Sequence, residues 1–149
     1  FQLLGVYDGE LSERLAHVLM RLGTERAMVV HGLDGLDEIT VTTRTQVSEV
    51  RGGRVESYLL DPRDHGIDLH PPDDLRGGDA EENAGITRGI LAGEIGGARR
   101  DIVLINAAAA LYVSGLAGSI GDGIEMSRGA IDSGAALQKL EQLREASRR

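Results

Sequence analysis

The chain has 149 residues, 41% of them hydrophobic and 27% charged, which is the length and balance of one globular domain with a buried core. No run approaches the ~20 consecutive apolar residues of a membrane span, and residues 1–6 lack the features of a signal peptide, so we expect a cytoplasmic protein without a membrane partner. The absence of cysteine excludes disulfides and thiolate metal sites, and a net charge of −8 disfavours binding to nucleic acid.

The first part of the chain has the pattern of a strand, a helix and a second strand. Residues 1–6 have the character of the middle of an apolar strand, and the chain lacks an initiator Met, so we expect a fragment or a processed product. Leucine and valine recur at helical spacing over residues 10–22, and Gly23 follows them, which predicts an amphipathic helix. Residues 26–31 form a short apolar run, which predicts a strand buried on both faces of a parallel sheet.

A β-hairpin and a connector are predicted next. Residues 39–60 alternate and are rich in Thr and Val, and Gly52-Gly53 lies between two valines, which is the signal of a two-residue turn. We therefore expect an antiparallel, half-exposed hairpin. Residues 61–74 hold all three prolines and cannot run as regular structure, so they should form a surface connector.

The last part of the chain is predicted to be helical. Asp79 can cap a helix, with Glu82 at the third helical position, and residues 102–113 are apolar almost all round, as in a helix at the centre of a core. Two further helices are predicted over residues 120–133 and 135–147. The predicted fold is therefore α/β: a few-stranded sheet with a β-hairpin and packed helices.

Isolated polar residues give limited information. Asn106 interrupts the apolar helix, and because a buried amide needs partners we expect a structural hydrogen-bonding hub, with a catalytic role as the alternative. The four histidines show no zinc-type spacing, so any metal should be a hard ion held by oxygen. His65 and His70 in the connector are expected to be solvated.

The segment from His31 to Glu38 leaves the carboxyl end of a predicted buried strand, where ligands collect in open α/β sheets. The adjacent Asp37 and Glu38 can hold Mg²⁺ together with waters and phosphate oxygens, because magnesium takes only one or two carboxylates. The alternative is an ordinary solvated pair. His31 is interpreted as a packed or hydrogen-bonded residue, with a base beside the acidic pair as the alternative.

A second candidate loop, Arg76-Gly77-Gly78-Asp79, opens a predicted helix. Helix N-termini favour anions, so a phosphate cradle is conceivable there. However, Asp79 at the cap would occupy the helix end and repel an anion, so the sequence favours capping over phosphate binding.

Four motifs occur in a familiar order and at familiar separations. They are Gln2-Leu3-Leu4-Gly5-Val6-Tyr7, Val30-His31-Gly32 running into Asp34-Gly35-Leu36-Asp37-Glu38, Leu75-Arg76-Gly77-Gly78-Asp79-Ala80-Glu81-Glu82-Asn83-Ala84, and Asn106-Ala107-Ala108-Ala109-Ala110-Leu111-Tyr112. Together they resemble the C-terminal portion of the anthranilate phosphoribosyltransferase family, over essentially the whole chain.

The resemblance implies a reaction and a metal. In this family the amine of anthranilate displaces pyrophosphate from phosphoribosyl pyrophosphate, in tryptophan biosynthesis, and magnesium neutralises the leaving group. The family's magnesium-binding Asp and Glu fall here on Asp37 and Glu38, with Glu38 expected to serve both ions.

Other parts of the family pattern are missing. The family's Gly-Thr-Gly-Gly-Asp pyrophosphate loop, its Lys-rich segment and its anthranilate-binding Asn and Arg lie upstream and are absent from residues 1–149, as is the helical domain that makes the homodimer contact. We therefore expect the C-terminal part of the catalytic domain, inactive alone, with no substrate-binding residue and no assignable catalytic residue. The alternatives are a pyrimidine nucleoside phosphorylase-like enzyme and a noncatalytic binding module.

Overall fold

The computed structural model describes residues 1–148 as a four-stranded mixed sheet covered by helices. The strands lie in the order β1-β2-β3-β4, with β1 and β2 parallel and the other pairs antiparallel. The strands are β1 (Gln2–Gly5), β2 (Arg26–Gly32), β3 (Thr45–Arg51) and β4 (Arg54–Leu60). The helices are α1 (Glu10–Arg21), α2 (Ala80–Leu91), α3 (Ala98–Ser114), α4 (Ile120–Asp132) and α5 (Ala135–Ala146). The predicted α/β fold is confirmed.

Strand β2 is buried on both faces, as its apolar run predicted, but the sheet is mixed rather than parallel because β2 pairs antiparallel with β3. Ala27 and Val29 face α1, whereas Met28 and Val30 point to the opposite layer, where they meet residues of α3 and α4. This alternation is the period of two that a strand imposes on its side chains. The sheet thus separates two cores, and helix α1 covers one face while α3 and α4 cover the other.

The hairpin turn was predicted correctly, but the start of the hairpin was not. Gly52 and Gly53 have φ of 58° and 73°, the positive values that a type I′ turn needs at both central residues. Strand β3 begins only at Thr45, and residues 39–41 are fully buried loop. The physical reason is local, because the Thr40 N–H donates to the Thr45 hydroxyl at 3.0 Å. A side chain thus satisfies this backbone N–H, which in a strand would donate to a carbonyl of the neighbouring strand.

The connector contains two short 3₁₀ helices, Pro62–His65 and Pro72–Leu75, each beginning with a proline. The expectation that His70 is solvated was wrong. Its Nε2 lies 2.8 Å from Asp101 Oδ2 on α3, and its backbone N–H donates to Val41 O at 2.9 Å. His70 therefore fastens the connector to the helical layer and to the loop before β3.

Helix α3 is the centre of the helical layer. At its crossing with α4 the backbones approach so closely that a Cβ on Gly123 would lie 2.7 Å from Ala108 O. Helices α2 and α5 pack on the outer side around Ile90, Leu104 and Ile131. A mostly apolar groove of about 570 Å³ remains open along α3 beside Ala107 and Ala110. Among residues 1–148, no helix is long and apolar enough to cross a membrane.

Candidate functional site

The acidic loop, residues 33–44, leaves the carboxyl end of β2 and folds back onto the end of β1. The Gly32 N–H donates to Leu36 O and the Gly35 N–H donates to Gly32 O, both at 2.8 Å, which closes a tight turn. The contact with β1 is closer still, since a Cβ on Gly5 would lie 1.5 Å from Asp37 O. Only glycine at this position lets the loop lie there. The loop therefore presents Asp37 and Glu38 at the edge where ligands collect in open α/β sheets.

Asp34 holds the loop together from within. Its Oδ2 accepts hydrogen bonds from the hydroxyls of Thr40 and Thr42, and its Oδ1 accepts from the Leu36 N–H at 3.3 Å. Burial alone would raise the pKa of Asp34, but these hydrogen bonds outweigh it and hold that pKa below its ordinary value. The carboxylate of Asp34 is thus stabilised as an anion by the loop itself.

Among residues 1–148, no hydrogen bond of this kind supports the side chain of Asp37 or Glu38. Partial burial, followed by the charges of Asp37 and Asp34, raises the pKa of Glu38 above its ordinary value. Within residues 1–148, no basic side chain lies at ion-pair distance from any of the three carboxylates of the loop. A cation near Glu38 would offset the repulsion between its carboxylate and those of Asp37 and Asp34.

The two carboxylates suit a hard cation that takes most of its ligands from water and substrate oxygens. Among the described residues, no three His, Cys, Asp or Glu side chains are arranged to hold a metal ion. Two adjacent carboxylates alone match the needs of Mg²⁺, which retains several waters and binds phosphate oxygens. Calcium would require more protein oxygens than this loop offers.

Asn106 connects the acidic loop to α3. Its Oδ1 accepts from the Ile39 N–H at 3.0 Å, and its Nδ2 donates to Ile39 O at 2.7 Å and to Ile102 O at 2.9 Å. The predicted structural hub is therefore confirmed. The residue that Asn106 holds at both backbone groups is the direct neighbour of Glu38.

His31 is a hydrogen-bonded residue at the end of β2. Its Nδ1 lies 2.9 Å from Val6 O, the carbonyl that follows β1. Because a carbonyl oxygen only accepts, Nδ1 carries the proton in this bond. The structural interpretation of His31 accounts for this contact, and no contact joins His31 to the acidic pair among the hydrogen bonds of residues 1–148.

The Arg76-Gly77-Gly78-Asp79 loop is a capping structure, as predicted. Asp79 accepts from the Glu82 N–H at 2.9 Å, and Asn83 accepts from the Gly78 N–H and donates to Gly78 O, both at 2.9 Å. These bonds occupy the first turn of α2.

This capping loop and Glu38 share a cleft, which no pattern in the sequence had indicated. The cleft has a volume of about 350 Å³, and its lining includes Glu38, Arg76, Gly77 and Arg99. Arg99, on α3, donates to Arg76 O at 2.6 Å and so holds the loop at the cleft. Only the packing of α3 brings these segments together, and no spacing along the chain carries that signal.

Comparisons with known proteins agree with this geometry. The model of the glycosyl transferase family, a/b domain, matches residues 1–137. The anthranilate phosphoribosyltransferase of Alkaliphilus metalliredigens is 55% identical over 142 residues, which are 95% of this chain and 42% of that protein. The corresponding enzyme of Methanocorpusculum labreanum is 58% identical over 142 residues, 95% of this chain and 41% of that protein.

Solved structures show the same likeness. Anthranilate phosphoribosyltransferase from Thermus thermophilus superposes with a TM-score of 0.84 at 37% identity, covering 93% of this chain and 40% of that one. The Saccharomyces cerevisiae enzyme in complex with PRPP and Mg gives a TM-score of 0.84 at 28% identity, covering 94% of this chain and 41% of that one. The chain thus spans about two fifths of the length of the proteins it matches.

Proposed function

The chain belongs to the glycosyl transferase family of α/β domains, and we propose that it is the C-terminal part of the catalytic domain of an anthranilate phosphoribosyltransferase. The observation that carries the proposal is the likeness to such enzymes over 95% of this chain, which includes the whole acidic loop. The longer protein would supply the pyrophosphate loop, the anthranilate site and a helical domain for a homodimer. It would act in the cytoplasm in tryptophan biosynthesis.

We further propose that Asp37 and Glu38 hold Mg²⁺. The support is their lack of any basic partner among residues 1–148 and the raised pKa of Glu38, whereas Asp34 is occupied by hydroxyls of its own loop. The S. cerevisiae relative binds PRPP and Mg, which is the substrate and metal combination that this site would serve. Glu38 lines the cleft, and in this proposal it serves both ions.

In the proposed reaction, the role of this part of the enzyme is to position the metal. The anthranilate nitrogen forms a bond to the ribose carbon, the bond from that carbon to pyrophosphate breaks, and the amine loses a proton. Bound Mg²⁺ supplies charge neutralisation for the departing pyrophosphate. Asp37 and Glu38 hold and orient the metal, and the contacts of Gly5, Asp34 and Asn106 fix the loop that carries them. No side chain of this chain is assigned the amine proton.

Two alternatives differ in assay. A pyrimidine nucleoside phosphorylase-like enzyme would cleave nucleosides with phosphate, and a noncatalytic binding module would catalyse neither reaction. The relatives reported above are named as anthranilate phosphoribosyltransferases, which favours the first proposal over both alternatives. A phosphorolysis assay on the longer protein separates the enzymes, and a Gly-Thr-Gly-Gly-Asp loop encoded upstream of Phe1 argues against the binding module.

The direct test replaces both carboxylates in the longer protein with isosteric amides, Asp37→Asn with Glu38→Gln. Magnesium-dependent turnover should fall far more than thermal stability, because the loop keeps its shape and loses the charge that the ion needs. The matched control is Glu81→Gln with Glu82→Gln, which removes the same charge from an exposed pair in the first turn of α2. Wild-type turnover of the Asp37–Glu38 double variant at ordinary magnesium would refute the assignment.

A further inference from the structure

We infer that Asn106 is a positioning residue of the metal site, which sets where Glu38 presents its carboxylate. The inference rests on the proposed function. The Asn106 amide binds the backbone of Ile39, the residue after Glu38, at both its N–H and its carbonyl, at 3.0 Å and 2.7 Å. A backbone held at two points can neither slide nor rotate, so the direction of the preceding residue is fixed.

The two hydrogen bonds to Ile39 require an amide side chain. Ile39 is fully buried, so its backbone donor and acceptor must both find partners away from water. An asparagine side chain carries one acceptor and donors at the same end, whereas aspartate carries acceptors only and leucine carries neither. The remaining Nδ2 hydrogen is used by Ile102 O at 2.9 Å, one turn earlier on α3. Asn106 is thus itself held in one orientation.

The structure uses the same device a second time. Asn83 of α2 grips the N–H and the carbonyl of Gly78 at 2.9 Å each. In both places an asparagine side chain on a helix makes the two hydrogen bonds to a loop residue that a neighbouring strand would otherwise make. The two loops held in this way are the acidic loop, bound at Ile39, and the capping loop, bound at Gly78. Both loops contribute residues to the same cleft.

The other anchors of the acidic loop do not replace Asn106. Asp34 joins the loop to itself through two threonine hydroxyls, and Gly5 sets its distance from β1. Neither contact involves α3, which contributes Arg99 to the lining of the cleft. The other link to α3 runs through His70, which binds Asp101 and Val41 O, and it holds the acidic loop three residues after Glu38. Asn106 is two helical turns after Arg99, on the same side of α3, so it sets the spacing between Glu38 and the part of α3 that carries Arg99.

The binding experiment uses two variants of the longer protein. Asn106→Asp removes the donor and places a carboxylate against two carbonyl oxygens, whereas Asn106→Gln keeps both functions and moves them by one methylene, so it folds if the first does not. Loss of a residue that orients a metal ligand typically costs about 10- to 100-fold in metal affinity. We expect weakening of that size in Mg²⁺ binding, measured by calorimetry in the presence of pyrophosphate.

A second readout does not involve the metal: the Ile39 N–H donates to Asn106 Oδ1, so the Ile39 amide should lose its protection against hydrogen exchange in Asn106→Leu, which removes that acceptor. The control is Ser119→Ala, which removes the cap of α4 without touching the acidic loop and should lower the melting temperature with Mg²⁺ affinity unchanged.

A lowered melting temperature with unchanged Mg²⁺ affinity in both Asn106→Asp and Asn106→Gln would make Asn106 purely structural and overturn the inference. If Asp37→Asn with Glu38→Gln also leaves Mg²⁺ binding unchanged, the proposed metal site itself fails. The two failures are therefore distinguishable.

Discussion

Replacing Gly5 by alanine tests how the acidic loop is positioned. The added Cβ would lie 1.5 Å from Asp37 O and 2.5 Å from Asp37 C. Both atoms belong to the backbone, so no flexible side chain can turn away. To restore ordinary van der Waals contact, the loop must move away from β1 by about 2 Å. Gly5 lies in extended backbone, so alanine meets no conformational penalty and the effect is purely steric.

The expected loss follows from that displacement. A misplacement of about 1 Å can cost ~10²-fold in rate, so turnover of Gly5→Ala in the longer protein should fall by at least ~10²-fold. Overpacking of a core typically costs about 1–3 kcal/mol of stability, and a clash with backbone atoms lies at the upper end of this range or above it, against the ~5–15 kcal/mol that holds a typical domain folded. Catalysis should therefore suffer much more than the fold.

The assay compares turnover across a magnesium titration with the free energy of unfolding in urea. Gly85→Ala is the matched control, because a Cβ at this position in the interior of α2 meets nothing within 4 Å. It should stabilise the protein by about 1 kcal/mol and leave turnover unchanged. Wild-type turnover and stability in Gly5→Ala would show that the loop does not rest on β1.

Three further outcomes are expected. Because the folded-state pKa of Glu38 is raised, ionising Glu38 costs stability; Glu38→Gln alone should therefore raise the melting temperature at neutral pH, and the gain should vanish in acid as Glu38 becomes protonated. A gain that persists unchanged in acid would contradict this. Asp79→Ala should cost ~1 kcal/mol of stability through the lost cap, whereas a large loss of phosphoribosyl pyrophosphate affinity at unchanged melting temperature would restore the phosphate-cradle hypothesis. Residues 1–149 alone should show no phosphoribosyl transfer and at most weak Mg²⁺ binding by calorimetry, and they should self-associate through the open groove along α3. Activity should return only when the upstream part is added. Robust turnover by residues 1–149 alone would refute our division of the enzyme.

Elements with a local signal were predictable from the sequence. Helical spacing before Gly23 defined α1, the pair Gly52-Gly53 defined the turn of the hairpin, and Asp79 defined the start of α2. Each of these signals is contained within a few residues, because caps and tight turns are satisfied by near neighbours. The apolar run of β2 also sufficed to predict a strand covered on both faces.

Features that depend on distant contacts were not predictable. Alternation of Thr and Val suggested a strand from Ile39, but threonine hydroxyls bind Asp34 there and keep the segment as loop. The connector histidine at position 70 gave no sign of its bond to Asp101, which lies 31 residues later. The loop that carries Asp37 and Glu38 leaves the carboxyl end of β2, as predicted, whereas its contact with Gly5 is visible only in the folded backbone.

The Asn106 contact also has a consequence for how the protein is made. Ile39 and the amide that holds it are 67 residues apart, so on the ribosome the acidic pair emerges well before the helix that orients it. The hairpin of β3 and β4 is local and can form early, whereas the loop before it waits for α3 to be synthesised and docked. A nascent chain that stops before α3 should therefore contain both carboxylates and have no defined geometry for magnesium.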